Sequence, residues 1–556
     1  MSMRVVTLAL LPLLQAGGNE LRTSWGYPSH LDPHRATSQA ESRAVLALFE
    51  GLTTCAPDGL SVAPGMAEAW ESSADGLSWT FRLREAAWSN GDPVTAQDFA
   101  AAWRRALRAE SGCERVALFR VFRNVGTYLD AQDADALLAQ YDDFSKSAQA
   151  EAGRRLAGIA RRRHADALRR RGEREAARAA EGRPDVEEKD LGFAATEPRT
   201  LRLDLERRTP WLPELLASAT FVPLHAKTVE AHGEAWVKPG RIVTNGTYLF
   251  DAATAVDMTF RRNARYWDKG AEGAPERIVI EFSSEDVAVR KFREGKLDWV
   301  APEQVPSSEA KAATFDTWGT VFLRLNAARP PFDRREKRTA FARAIDRRPV
   351  AEAARGKPAD RLVPPGRAGY PEAAGLSFDK GAAMEALLKE TGFDLSKVPP
   401  VEILTNESPT AAKVAEAVRG QWEKNLGVRV RIRSMKWPAY VRAVTAGEYQ
   451  AALAGWVGDV LDPSAFLESW TRGHPQNASG WADEEFDGAF RSSFEATSEK
   501  ERLTRLARAE EILLSAAPVV PLYTPVETYL ARDRVSGIRP NPLGRVSLKH
   551  LRRVTK

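Results

Sequence analysis

Residues 449–459 read Tyr-Gln-Ala-Ala-Leu-Ala-Gly-Trp-Val-Gly-Asp, and the segment closes at Asp462-Pro463. This is a buried strand that breaks into a loop carrying one aromatic residue and two carboxylates. A strand buried in this way constrains everything around it, because other elements must cover both its faces. Small side chains at Ala454, Gly455 and Gly458 let a second backbone come close, Trp456 offers a flat apolar wall, and Asp459 places a charge near a strand end. The segment is therefore the candidate binding site; a core strand ending in an ordinary turn would carry the same residues.

Elsewhere strands and helices alternate instead of forming separate blocks, which is the order of an α/β protein. Residues 31–33 lead as a strand into a loop through Thr37, Ser38 and Gln39, where Ser38 suits a helix cap, and residues 41–49 have helical spacing. Asp75-Gly76 joins two extended runs as a hairpin. Thr95 and Asp98 form a capping-box-like pair ahead of a helix on which Phe99 and Trp103 share a face, as core residues. Further strands are expected at 199–205, 248–250, 278–280, 321–326, 428–432 and 519–523, and helices at 337–344, 410–424 and 499–514. From about 131 to 183 the composition turns to Ala, Arg and Glu, giving one long helix or a helical hairpin.

A chain of 556 residues with 15 Trp and 22 Phe can fill more than one core, so two or three domains are expected. The net charge of +5 is matched by residues 151–185 alone, where 11 Arg face 6 acidic residues. The remainder is near neutral, and no nucleic-acid groove is implied. Two cysteines exclude a cysteine-dense scaffold and an all-cysteine metal site; a Cys55–Cys113 bridge is permitted but not required. His30, His34, His164, His225, His232, His474 and His550 lack metal-ligand spacing, and no metalloprotease, phosphate-loop or nucleophile-elbow pattern occurs. The expectation is a chain that is not an enzyme and holds neither metal nor cofactor. Residues 1–4, the apolar run 5–14 and the small residues at 16–18 have the three-part shape of a secretory signal, too short to span a bilayer as a helix. No cysteine follows closely to take a lipid anchor, so periplasmic export is expected; a buried first element of a cytosolic protein is the alternative.

Seven segments, in order, carry a resemblance. They are Leu31-Asp32-Pro33-His34; Leu48-Phe49-Glu50-Gly51-Leu52; residues 88–99 (Trp-Ser-Asn-Gly-Asp-Pro-Val-Thr-Ala-Gln-Asp-Phe) with Trp103; Val243-Thr244-Asn245-Gly246-Thr247-Tyr248; Arg265-Tyr266-Trp267; Asn326 with Pro330-Pro331-Phe332; and the loop from Gly455-Trp456 to Pro463. With these the chain resembles the bacterial oligopeptide-binding proteins, of the peptide/nickel class of extracellular solute-binding proteins of ABC importers. The resemblance implies an α/β, bilobed, type II periplasmic-binding-protein-like fold with an extra third domain. Residues 1–16 would be the signal peptide. Domain I would comprise 17–49, 224–318 and 526–556; domain II 50–223, with an Arg/Ala-rich helical insertion at about 131–187; and domain III 319–525. Hinge crossings are expected near Val222, Gly319 and Tyr523.

The implied role is a monomeric receptor that closes on an oligopeptide and delivers it to an ABC permease in the inner membrane. Asp459 would pair with the ligand's ammonium, and Gly455, Trp456 and Val457 with its backbone. Trp456 and Trp437 would wall its side-chain pockets, and the loop of Thr37, Ser38 and Gln39 would lend backbone groups to the added strand. Three departures stand out. Leu453 and Val444 replace arginines that can meet a ligand carboxylate, although Arg442 lies nearby, and Gly319 and Val457 replace a cystine found in some members. The alternatives are an Asp459 paired with an arginine of the protein itself, a receptor for a nickel chelate, haem or sugar, and an envelope structural or sensing protein working through its Arg-rich segment.

Overall fold

Three large sheets organise the chain. The computed structural model describes residues 19–554 except 57–60, 133–185, 269, 271–272, 307–308, 310–311, 475 and 539–541. The expected signal segment and almost all of the Arg-rich insertion lie outside the described residues.

The first sheet has seven strands in the order Ala313–Asp316, Val526–Ala531, Trp299–Val300, Glu20–Ser24, Arg277–Glu281, Asp257–Arg262 and Tyr248–Ala253. Glu20–Ser24 runs parallel to both of its neighbours, which come from more than 250 residues later, so this sheet is assembled from distant parts of the chain. The second is antiparallel, with Ala67–Ser72, Ser78–Leu83, Thr200–Asp204 and Phe193–Glu197 in order. Helix Ala96–Leu107 packs beside it behind the Thr95–Asp98 capping box. Its Phe99 and Trp103 are fully buried, and the Trp103 indole donates to the Phe221 carbonyl at 3.0 Å. These two sheets share one apolar core.

The third sheet has six strands in the order Lys357–Pro358, Val519–Thr524, Gly319–Leu325, Ala451–Val457, Val401–Asn406 and Val430–Met435. The two-residue period of a strand divides its neighbours: Leu323 and Leu325 face a core that includes Trp422, while Phe322 faces another with Trp318, Trp470 and Phe486. Covered on both faces, this sheet gives the candidate segment the buried start that its apolar residues demand. Among the described residues, no helix is long and apolar enough to cross a membrane.

One local expectation is corrected. Residues 31–33 form an irregular buried loop instead of a strand, because the Asp32 carboxylate accepts the His34 N–H at 3.0 Å and pairs with Arg105 at 2.5 Å. Side-chain bonds of this kind hold the backbone out of a ladder. Residues 437–445, for which the spacing predicts no element, form helix Trp437–Thr445, which Pro438 in its first turn suits. Cys55 and Cys113 are not bridged to each other. Burial pushes the Cys113 thiol up to about 11, which leaves it protonated near neutral pH.

Candidate functional site

The Ala451–Val457 strand is paired unequally on its two sides. Against Gly319–Leu325 it is antiparallel along its full length, from Ala451 opposite Leu325 to Val457 opposite Gly319. On the other side, parallel pairing with Val401–Asn406 covers only Ala451 and Ala452. The Leu453 carbonyl accepts the Tyr440 hydroxyl at 2.7 Å, and beyond it residues 454–457 face no strand on that side among the described residues. Ala451, Ala452 and Leu453 are buried, whereas Gly455 and Val457 are exposed. An edge of this kind offers a template of donors and acceptors to a further strand.

A cavity of about 380 Å³ wraps this edge. Val321, Leu453 and Gly455 line it from one face of the sheet, Arg324 and Trp456 from the other, and Trp437 and Tyr440 from the helix alongside. Residues of both faces share one cavity because the sheet ends there. Trp437 is 61% exposed and stacks on Tyr440 with ring centroids 5.5 Å apart and planes at 20°. Burial pushes the Tyr440 phenol up to about 12, so its hydroxyl stays protonated and remains a donor. The Trp456 indole nitrogen is buried against this cavity and has no hydrogen-bond partner among the described residues. Val444 and Leu453 make part of the wall apolar, and Asn406, Ser408, Thr410 and Gln476 add neutral polar groups; Arg324 is the charged lining residue, and the exposed Arg442 is not part of the lining.

Farther along, the loop is held by ion pairs. Asp459 Oδ1 accepts from Arg115 Nη1 at 2.8 Å, each side chain about a third exposed. Arg115 Nη2 donates to the Thr37 carbonyl at 3.1 Å. The fold thus brings Asp459 and the 37–39 loop together, with a guanidinium of the protein between them. This is the alternative pairing that the sequence left open. Arg545 adds a bond of 2.7 Å from Nη2 to the Asp459 carbonyl. Within the 37–39 loop, Ser38 caps helix Gln39–Leu48, and Glu41 Oε2 accepts the N–H of Thr37 at 2.8 Å and of Ser38 at 2.9 Å. Gln39 Nε2 donates to the Leu543 carbonyl at 3.1 Å. Of the backbone groups expected to meet a ligand, the Thr37 and Ser38 donors are therefore already taken by Glu41.

Two other candidates in the loop serve the fold. The Asp462 carboxylate is fully buried and pairs with Arg502 at 2.5 Å. A Cβ on Gly458 would lie 2.6 Å from Trp318 Cδ1, so this glycine admits an indole of the protein, not a ligand. At Gly455 the added atom would meet Val321 at an ordinary 3.4 Å, and the residue opens outward. Gly319 and Val457 stand opposite each other in the ladder. Sequence reasoning missed Tyr440, Arg324 and Arg115. A spacing of three from Trp437 could have found Tyr440, but nothing marks Arg115, which lies 344 residues from Asp459. No group of three or more His, Cys, Asp or Glu placed to hold a metal ion occurs among the described residues.

Residues 61–478 match the family model described as bacterial extracellular solute-binding proteins, family 5 Middle. The chain is 28% identical over 543 residues to the periplasmic oligopeptide-binding protein OppA of Escherichia coli, covering 94% of this chain and 89% of that protein. It is 27% identical over 528 residues to the probable deoxycholate-binding periplasmic protein YgiS of the same organism, covering 92% and 88%. Among solved structures, the unliganded open form of the periplasmic murein tripeptide-binding protein MppA superposes with a TM-score of 0.75 at 25% identity, over 97% of this chain and 98% of that one. The bilobed type II α/β fold implied by the resemblance is the fold of these neighbours.

Proposed function

The chain belongs to the bacterial extracellular solute-binding proteins, family 5, and from that premise we propose that it is a periplasmic receptor that binds oligopeptides between its lobes and delivers them to an ABC permease. The observation that carries this reading is the unpaired edge of residues 454–457, with Trp437, Tyr440 and Trp456 around it. An extended peptide laid along that edge adds one strand to the sheet. Its amides meet the unpaired backbone groups, and alternate side chains fall toward the two sides of the cavity. Recognition of this kind reads backbone more than sequence, which suits a receptor for many peptides. Asp459 and the Thr37 carbonyl mark the end that the ligand's amino group approaches, and there the ammonium meets a carboxylate already held by Arg115. Release follows hinge opening; a ligand that carries the closed form from about 1% to 99% must favour it by roughly 5.5 kcal/mol.

Native mass spectrometry of freshly purified protein incubated with a peptide library tests this reading. Retained masses should be those of peptides. One observation favours a second reading: the cavity combines aromatic and aliphatic groups with neutral polar side chains such as Asn406, Ser408 and Gln476, and Arg324 is its charged lining residue. That suits an amphipathic anion, such as the ligand named for YgiS. Retention of deoxycholate from an equimolar mixture, with no peptide bound, would replace the first reading by the second.

A further inference from the structure

We propose that Arg115 decides which chain ends the site accepts: holding the Asp459 carboxylate and the Thr37 carbonyl from inside the protein, it stands in for a ligand's amino group. The receptor then takes chains with an uncharged leading end as readily as chains with a free ammonium. This rests on the peptide-receptor reading above and narrows it. Arg115 Nη1 lies 2.8 Å from Asp459 Oδ1, and Nη2 lies 3.1 Å from the Thr37 carbonyl, so one guanidinium fills both acceptors at that end of the site. A ligand ammonium has two routes to Asp459. It can displace Arg115, which exchanges one cation for another and leaves the carboxylate no better paired. It can instead add at Oδ2, which accepts no hydrogen bond among the described residues, and then sits close to a like charge. Along either route the ligand's own charge contributes little.

The surroundings act in the same direction. Arg545 sets a second guanidinium on the Asp459 carbonyl at 2.7 Å. Among the described residues, the cavity along the strand edge has no carboxylate in its lining and one cation, Arg324. An ammonium therefore finds no other anion along the cavity, whereas an acylated or otherwise uncharged end leaves the Arg115–Asp459 pair undisturbed. The pair is about a third exposed on each side, so it neutralises a charge more than it braces the fold. Arg115 is thus a positioning and specificity residue, acting on the ligand through Asp459.

The test is a competition. A random hexapeptide mixture, half of it N-acetylated, is offered to the protein, and the ratio of free to acetylated peptides retained is read by native mass spectrometry. The intact protein should retain the two forms within about threefold of each other, and Arg115→Met should favour the free amino form by about tenfold or more. Arg115→Lys should restore the even ratio, which a merely structural role for Arg115 would not predict. The double variant Arg115→Met/Asp459→Asn should lose the preference. A tenfold preference for free amino ends in the intact protein overturns the inference without any variant, and so does an unmoved ratio in Arg115→Met. If neither form is retained, the peptide-receptor reading itself fails, and this inference falls with it.

Discussion

The two halves of residues 451–470 are built on opposite terms. In the first half, residues 454–457 pair with Gly319–Leu325 on one side but with no described strand on the other, and an exposed indole stands beside them. In the second, acidic side chains are answered from within the protein: Asp459 by Arg115, Asp462 by Arg502 and Glu468 by Arg207. The charged half draws attention in the sequence, but its charges are met by arginines from distant segments, and of the two aspartates only Asp462 is buried enough to brace the fold. The half that can take a ligand is the quieter one, where hydrogen-bonding capacity is left unmet.

Removing a bolt should cost the most. Asp462→Ala removes the fully buried carboxylate on Arg502, which keeps only its bonds to the part-exposed Glu499, and should lower unfolding free energy by roughly 3 kcal/mol in urea titrations. Asp459→Ala, whose pair is about a third exposed, should change it by less than about 1 kcal/mol. Equal losses at the two aspartates would erase the distinction drawn between them. Acid should act next, at a buried ion cluster outside this segment. His34 is fully buried, with Nδ1 at 2.6 Å from Arg105 Nη1, and burial holds its ring down at about 4. In the unfolded chain a histidine titrates near 6.5, so the unfolded state takes up the proton first. Stability is therefore fully present above about pH 6.5 and falls as the pH drops toward about 4, by up to about 3 kcal/mol. Thermal unfolding across that range should show the slope, and His34→Gln should flatten it.

The open half should respond in the reverse sense. Trp437 is mostly exposed, so Trp437→Ala should leave stability within about 0.5 kcal/mol of the parent. The same change should weaken a retained ligand by about tenfold, or 1.4 kcal/mol, in calorimetric titration. A loss of stability without loss of affinity would make that indole part of the frame.

What the sequence could and could not reveal follows from the same contrast. Local patterns were legible: the Thr95–Asp98 capping box, the buried Phe99 and Trp103, the Asp75-Gly76 hairpin and the Ser38 cap each depend on residues a few positions apart. The family resemblance, carried by short segments in register, supplied the fold class. Partnerships across long separations were not legible. Asp459 and Asp462 stand three residues apart with the same side chain, yet their roles are set by arginines 344 and 40 residues away. Residues 31–33 failed as a strand for the same reason, since Arg105 claims Asp32. Gly458 looked like an opening and is instead filled by Trp318, a contact that no spacing rule predicts.

Hydrogen exchange of the backbone amides in residues 453–457, read with and without a peptide whose binding calorimetry has established, tests the central claim most directly. An added strand predicts slowed exchange at amides of this segment on ligand binding, with the 459–470 loop changing less. Tight binding that leaves exchange at 453–457 unchanged would contradict it.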